Sequence, residues 1–208
     1  MLDRVAVREL LSPLDLSLSA ETIDKLLINL DLLIRWNLKI NLTAIGTAEE
    51  CVTRHFGESF LISKIVKLRG NLLDIGSGAG FPGLAIKLIA PDLEIILLEP
   101  VAKKRAFLKE VARACGMKRV EIVGSRLEAF ARAQEPQSFD LITIRAVGGL
   151  EPLIRKAAAV LKPGGHFCLW LGRQQVREIR DANPDFDWQE PFAIPLSRDR
   201  CILTGTRD

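Results

Sequence analysis

Apolar residues in the first third of the chain recur three and four apart. After Asn71 they come in short runs cut by glycine. Ser19 opens an S-x-x-T start with Glu21 in the first turn, and Ile23, Leu26, Leu27, Leu30, Leu33 and Ile34 follow on one helical face. Asn41-Leu-Thr through Gly46 breaks that helix, and a further one is expected from about Thr47 to Lys67. Residues 1–68 therefore read as a helical N-terminal cap. From residue 69 to 208 strands and helices alternate. Strands are expected at Leu72–Ile75, Glu94–Leu98, Val120–Val123, Phe139–Ile144 and His166–Leu171. Helices are expected from Pro82 to Ala90, Ala102 to Cys115, Leu150 to Leu161 and Arg173 to Arg180. Alternation of this kind predicts an α/β fold with a mostly parallel sheet covered on both faces. Two last strands, Trp188–Ile194 and Arg200–Thr206, have no long helix between them and are expected to pair antiparallel.

Composition narrows the class. With 208 residues, 48% hydrophobic and 26% charged, the chain can bury a core without disulfides. No apolar run approaches the roughly 18–20 residues of a membrane span, so no membrane partner is expected. MLDRVAVREL lacks the basic-then-apolar order of a leader, which reads as a cytoplasmic protein. Cys51, Cys115, Cys168 and Cys201 form no C-x-x-C, and His55 and His166 are the only histidines. No metal site is expected, and the cysteines read as reduced packing residues. The net charge of +3 is small, but residues 103–119 hold seven bases (Lys103, Lys104, Arg105, Lys109, Arg113, Lys118 and Arg119) against Glu110 alone. Arg105, Lys109 and Arg113 are four apart, so they share one helix face. That face reads either as solvated or as a track for phosphates.

The chemistry is concentrated in Gly76-Ser-Gly78-Ala-Gly80-Phe81-Pro-Gly83, which follows the first predicted strand. Gly78-x-Gly80-x-x-Gly83 fits the dinucleotide fingerprint in letters but not in register, because the strand ends two residues too early. Asp74-Ile-Gly76-Ser-Gly78-Ala-Gly80 instead resembles the first motif of S-adenosylmethionine methyltransferases. Glu99 ends the second strand, where a carboxylate can accept hydrogen bonds from both ribose hydroxyls. Ile144-Arg145-Ala146-Val147 lacks the Asn/Asp-Pro-Pro-aromatic loop of exocyclic-amine enzymes, and no Pro-Cys pair offers a cytosine-C5 nucleophile. Transfer to an atom that already carries a free lone pair, such as a guanine N7, needs alignment rather than a general base. Arg145, alone at the end of an apolar strand, is the candidate catalytic residue, acting by position or charge.

Taken together these motifs resemble the bacterial family of small-subunit ribosomal RNA guanine-N7 methyltransferases, also called the glucose-inhibited division protein B (GidB, RsmG) family. The resemblance runs through Trp36-Asn37, Asn41-Leu-Thr43, Arg54-His55, Glu58-Ser59, Asp74–Gly83, Leu97–Glu99, Lys103–Leu108, Ser125–Glu128, Phe139–Ala146 and Lys162–Gly165. It implies a Rossmann-like sheet of seven strands, S-adenosylmethionine as cofactor, and 16S rRNA or the 30S subunit as partner of a monomer. It implies cofactor contacts at Asp74, Gly76, Gly78, Gly80, Phe81, Glu99, Leu127, Glu128 and Arg145, with Leu127 and Glu128 flanking the adenine. It also implies that Arg54, His55, Arg126 and the basic helix (Lys103, Lys104, Arg105, Lys109, Arg113) lie toward RNA. The chain departs from the family pattern at Glu58 and Glu99 (Asp in the family), Ile144 (Ser) and Leu171 (Lys). A small-molecule methyltransferase, or an assembly factor that binds the cofactor without transferring methyl, remain as alternatives.

Overall fold

A computed structural model describes residues 2–195 and 197–207; Met1, Leu196 and Asp208, which fall within the two expected units, lie outside the described residues. α1 (Arg4–Leu11) is capped by the Asp3 carboxylate, which accepts from Ala6 N–H. In α2 (Ala20–Asn37) the Ser19 hydroxyl accepts from Thr22 N–H at 3.0 Å, as the S-x-x-T pattern requires. The expected helix after Thr47 is present but not uniform. α3 (Ala48–Glu50) passes into a π-helical turn over Cys51–Gly57, then α4 (Glu58–Phe60) and a 3-10 turn over Leu61–Lys64.

The sheet comprises β1 (Asn71–Ile75), β2 (Glu94–Leu98), β3 (Val120–Val123), β4 (Phe139–Arg145), β5 (Leu161–Gly172), β6 (Phe186–Trp188), β7 (Phe192–Ala193) and β8 (Arg200–Arg207). Its order is β3-β2-β1-β4-β5-β8-β6, with β7 also on β8. The first five are parallel and β8 runs antiparallel to β5. The expected strand over Trp188–Ile194 is two pieces, β6 and β7, on the same neighbour. Pro191, between them, has no N–H to donate to a ladder. Counted as one broken strand, they leave the seven-stranded pattern intact. The helices are α5 (Gly83–Ile89), α6 (Ala102–Ala114), α7 (Leu127–Ala133), α8 (Leu150–Ala157) and α9 (Gln175–Ala182). None of the described helices is long and apolar enough to cross a membrane.

Strand alternation assigns the two faces. Leu72, Leu97, Leu141, Cys168, Trp170 and Ile202 face α5, α6 and the N-terminal helices, and share one apolar cluster with Leu26, Leu33, Phe56, Phe60 and Phe107. Leu73, Ile75, Ile142, Ile144, Phe167, Leu169 and Leu203 face α7, α8 and α9. All four cysteines are buried and free. Each fully buried Phe or Leu contributes roughly 1.5–3 kcal/mol. The strand order reverses between β1 and β4, which run parallel, so a crevice opens beyond their carboxyl ends, the usual place for a ligand in such sheets.

Candidate cofactor and substrate site

The loop 76–83 lies over that crevice and is held by the end of β2. Leu98 O accepts from Gly76 N–H (2.8 Å) and Ser77 N–H (3.2 Å), and Ser77 O accepts from Gly80 N–H at 2.7 Å. Gly80 sits at φ 84°, and a Cβ there would come within 2.8 Å of Leu84. Gly83 is required for a different reason. A Cβ on it would lie 2.7 Å from Asp74 Oδ2, because the Asp74 side chain packs directly beneath the start of α5.

Asp74 is fully buried, so it supports the loop from below. Its Oδ1 accepts from Thr143 Oγ1 at 2.7 Å, while Oδ2 has no well-aligned partner. Burial pushes the carboxyl up to about 6, against the pull of the Thr143 and Ser77 hydroxyls and the Gly83 backbone.

Glu99 is the acid that meets the loop. Its Oε2 accepts from Gly78 N–H at 2.9 Å and its Oε1 from Val101 N–H at 2.8 Å. Each oxygen keeps a lone pair for a ribose hydroxyl. On its open side Gly78 has space, since a Cβ there would meet nothing closer than Gly76 O at 3.7 Å. An open glycine cradle beside a carboxylate that retains accepting capacity fits the adenosine half of S-adenosylmethionine. Across β3, Leu127 is buried at the start of α7, Arg126 is exposed as its N-cap, and Glu128 is tied to Lys156 at 2.7 Å.

Phe81 turns away from solvent. Its ring stacks on His55 (4.5 Å between centroids, 9° between planes) and meets Phe56 edge-on. His55 Nε2 bonds Thr43 Oγ1 at 2.7 Å. Burial, with Arg145 and Arg54 nearby, pushes its pKa down to about 3, so the ring is neutral. Thr43 is in turn held by Asn37, whose Oδ1 accepts from Leu42 and Thr43 N–H. The Trp36-Asn37…Asn41-Leu-Thr43 pattern is thereby explained as a clamp on the cap loop beside the glycine loop.

Arg145 is fully engaged within the protein. It donates to Arg54 O (2.7 Å) and Glu58 Oε2 (3.1 Å), with longer contacts to His55 O and Ser59 Oγ. Glu58, 4% exposed at its side chain, also accepts from Arg200 at 2.7 Å on its other oxygen, and its backbone O accepts from Trp170 Nε1. Glu58 and Arg200 were not among the residues read from sequence as site residues. Arg200 reaches the site only because β8 pairs with β5, placing it opposite Gly172.

The basic helix divides. Arg105 folds back onto Glu99 O (3.0 Å) and Pro100 O (2.6 Å), bracing the turn that carries Glu99. Lys103 is exposed and Lys104 half-buried at the rim of the crevice. Lys109 and Arg113 are exposed, but roughly 9 and 15 Å farther down α6 at 1.5 Å per residue. Arg54 is exposed, with Glu50 at 3.4 Å.

Known proteins place this arrangement. Residues 22–197 match the family model described as GidB, rRNA small subunit methyltransferase G. A ribosomal RNA small subunit methyltransferase G from Desulfitobacterium hafniense is 38% identical over 170 residues, 81% of this chain and 71% of that one. One from Syntrophotalea carbinolica is 33% identical over 200 residues, 96% and 92% of the two chains. Among solved structures, a SAM dependent methyltransferase from Aquifex aeolicus superposes with a TM-score of 0.63 at 13% identity, over 76% of this chain and 93% of that one. A fibrillarin/Nop5p complex gives 0.62 at 17% identity, over 81% and 88%. These likenesses show the fold.

Proposed function

As this chain belongs to the rRNA small subunit methyltransferase G family, an S-adenosylmethionine-dependent one, we propose that it methylates N7 of a guanine in 16S rRNA. It does so as a cytoplasmic monomer acting on the RNA or the 30S subunit. Residues 1–68 serve as the cap and 69–208 as the cofactor-binding domain. The observation that supports this most directly is the Glu99–Gly78 contact at the open switch point, in a chain matched to the family over residues 22–197.

S-adenosylmethionine, when bound, supplies a methyl group on a sulfonium that departs as the thioether S-adenosylhomocysteine. Glu99 would accept from the ribose hydroxyls, the loop from Gly76 to Phe81 would cradle the nucleoside, and Leu127 and Glu128 would flank the adenine. Guanine N7 has a lone pair and no proton to lose, so the protein must align it and need not deprotonate it. The neutral His55, with its low pKa, suits a site without a base. Arg145 acts as a positioning residue. It fixes the Arg54–Ser59 turn against the end of β4 and so sets where the target base meets the loop. Arg54, Lys103, Lys104 and Arg126 face the RNA, while His55, expected from sequence to do so, is stacked on Phe81 and bonded to Thr43 behind that surface.

Tritiated methyl transfer to 30S subunits from a strain lacking this enzyme, with the labelled nucleoside identified, tests the reading. Label in 7-methylguanosine is expected. Label in another nucleoside, or none despite cofactor binding, would overturn it.

A further inference from the structure

We propose that the groove between the C-terminal end of α2 and the first turn of α6 carries the phosphodiester backbone of the RNA strand flanking the target base. This rests on the rRNA reading above and extends its surface to residues of α2.

The helices run antiparallel. Cys115 Sγ contacts Lys25 O at one end, while Trp36 bonds Glu110 at 2.9 Å and meets Phe107 at 5.9 Å toward the other. Beside that contact the helices leave a cavity of about 520 Å³, lined by Arg35, Trp36, Lys39, Ile40, Lys103 and Glu110 among others. Lys103 is four residues past Glu99, so the groove opens on the same rim as the cofactor loop. Its other wall leads there too, because Asn37 holds Thr43, Thr43 holds His55, and His55 stacks on Phe81.

The charge of the groove is available. Arg35 pairs with Asp31, and Glu110, whose carboxylate accepts from the Trp36 indole, is the one acid in the lining, against Arg35, Lys39 and Lys103. Lys39 and Lys103 are exposed and form no ion pair among the described residues. No acid lies in the first turn of α6 itself; Glu99, just before it, is turned to the Gly78 and Val101 N–H groups of the cofactor loop side. The partly exposed Trp36 and Ile40, both in the lining, add apolar surface of the kind an unstacked base covers. Three basic side chains against one carboxylate in the lining, two of them unpaired ammonium groups, and an apolar wall complement a single-stranded polyanion.

The test compares Lys39→Glu and Lys103→Glu, singly and together, with Lys118→Glu, whose charge change equals that of each single variant and lies beyond the far end of α6. The substrate is 30S particles from a strain lacking the enzyme. The double variant should raise KM for particles at least tenfold, keep kcat within twofold and leave the S-adenosylmethionine Kd unchanged by calorimetry. The slope of log affinity against log salt should become shallower by roughly one to two, at about 0.7–0.9 for each phosphate no longer neutralised. Lys118→Glu should leave KM within twofold. An unaltered KM in the double variant would put the groove off the RNA path, and an equal rise in Lys118→Glu would reduce the effect to net charge. Absence of transfer by the unmodified enzyme would remove the rRNA reading itself, and this proposal with it.

Discussion

Arg145 Nη2 lies 3.1 Å from Glu58 Oε2 and 2.7 Å from the carbonyl of Arg54, so one guanidinium ties the end of β4 to the π-helical turn of the cap. Removing it leaves a nearly buried carboxylate with Arg200 alone and strands the Arg54 carbonyl. Arg145→Ala is expected to lose roughly 2–4 kcal/mol of stability and most methyl transfer. Arg145→Lys should keep part of both, because an ammonium can still meet Glu58. Urea titrations beside single-turnover rates measure the two losses. An Ala variant of wild-type stability would show that the bridge carries no weight.

Glu99 holds Gly78 and presents its remaining lone pairs to the crevice. Glu99→Ala should weaken S-adenosylmethionine binding about ten- to hundredfold, the loss of one or two hydrogen bonds to a charged group. Isothermal calorimetry reads this directly, and an unaltered Kd would remove Glu99 from the cofactor site.

Asp74 gives a pH signature. Its folded pKa of about 6 lies above the ordinary aspartate value of 3.8. Between these values the folded carboxyl retains a proton that the unfolded chain releases. Its contribution to stability is complete below the unfolded pKa and is lost as pH rises through about 6. Asp74→Asn should remove that slope. The stability difference between variant and wild type should therefore shift in the variant's favour by on the order of 1–3 kcal/mol from pH 4 to pH 7. Paired denaturation curves at several pH values give the difference, and parallel profiles would contradict the assignment.

Asn29 is fully buried in α2, and neither its Oδ1 nor its Nδ2 has a partner. Replacing it with the similarly sized Leu should stabilise the fold by about 1–2 kcal/mol, read as a higher Tm. A lower Tm would mean that the amide is satisfied in solution, for instance by an internal water.

The strand, glycine loop and following helix were legible because their signals are local. Apolar runs of four or five residues end at glycines, and Asp74 and Glu99 stand at strand ends, so periodicity and turn chemistry suffice. Arg145 was legible as an anomaly but not in its partners, which lie 86 to 91 residues earlier in the chain. The i, i+4 spacing of Arg105, Lys109 and Arg113 put them on one helix face, readable either as solvated or as a phosphate track. Only the fold shows Arg105 turned back onto Glu99 O and Pro100 O, and the other two descending away from the rim. Phe81, grouped with the loop by motif, delivers its ring to the cap instead. Arg200 was invisible as a site residue because its position depends on an antiparallel pairing at the opposite end of the sequence.

The way the loop amides are spent has a consequence for selectivity. Gly76 and Ser77 donate to Leu98 O, Gly78 to Glu99, and Gly80 to Ser77 O. A pyrophosphate arriving here would find those donors already taken and the Glu99 carboxylate facing it. ATP and NAD share the adenosine proposed to sit at Glu99 and would otherwise compete for it. The hydrogen bonds that hold the glycine loop in shape thus leave Gly76, Ser77, Gly78 and Gly80 with no amide to offer a phosphate, and phosphorylated adenosines are expected to bind more weakly here than S-adenosylmethionine.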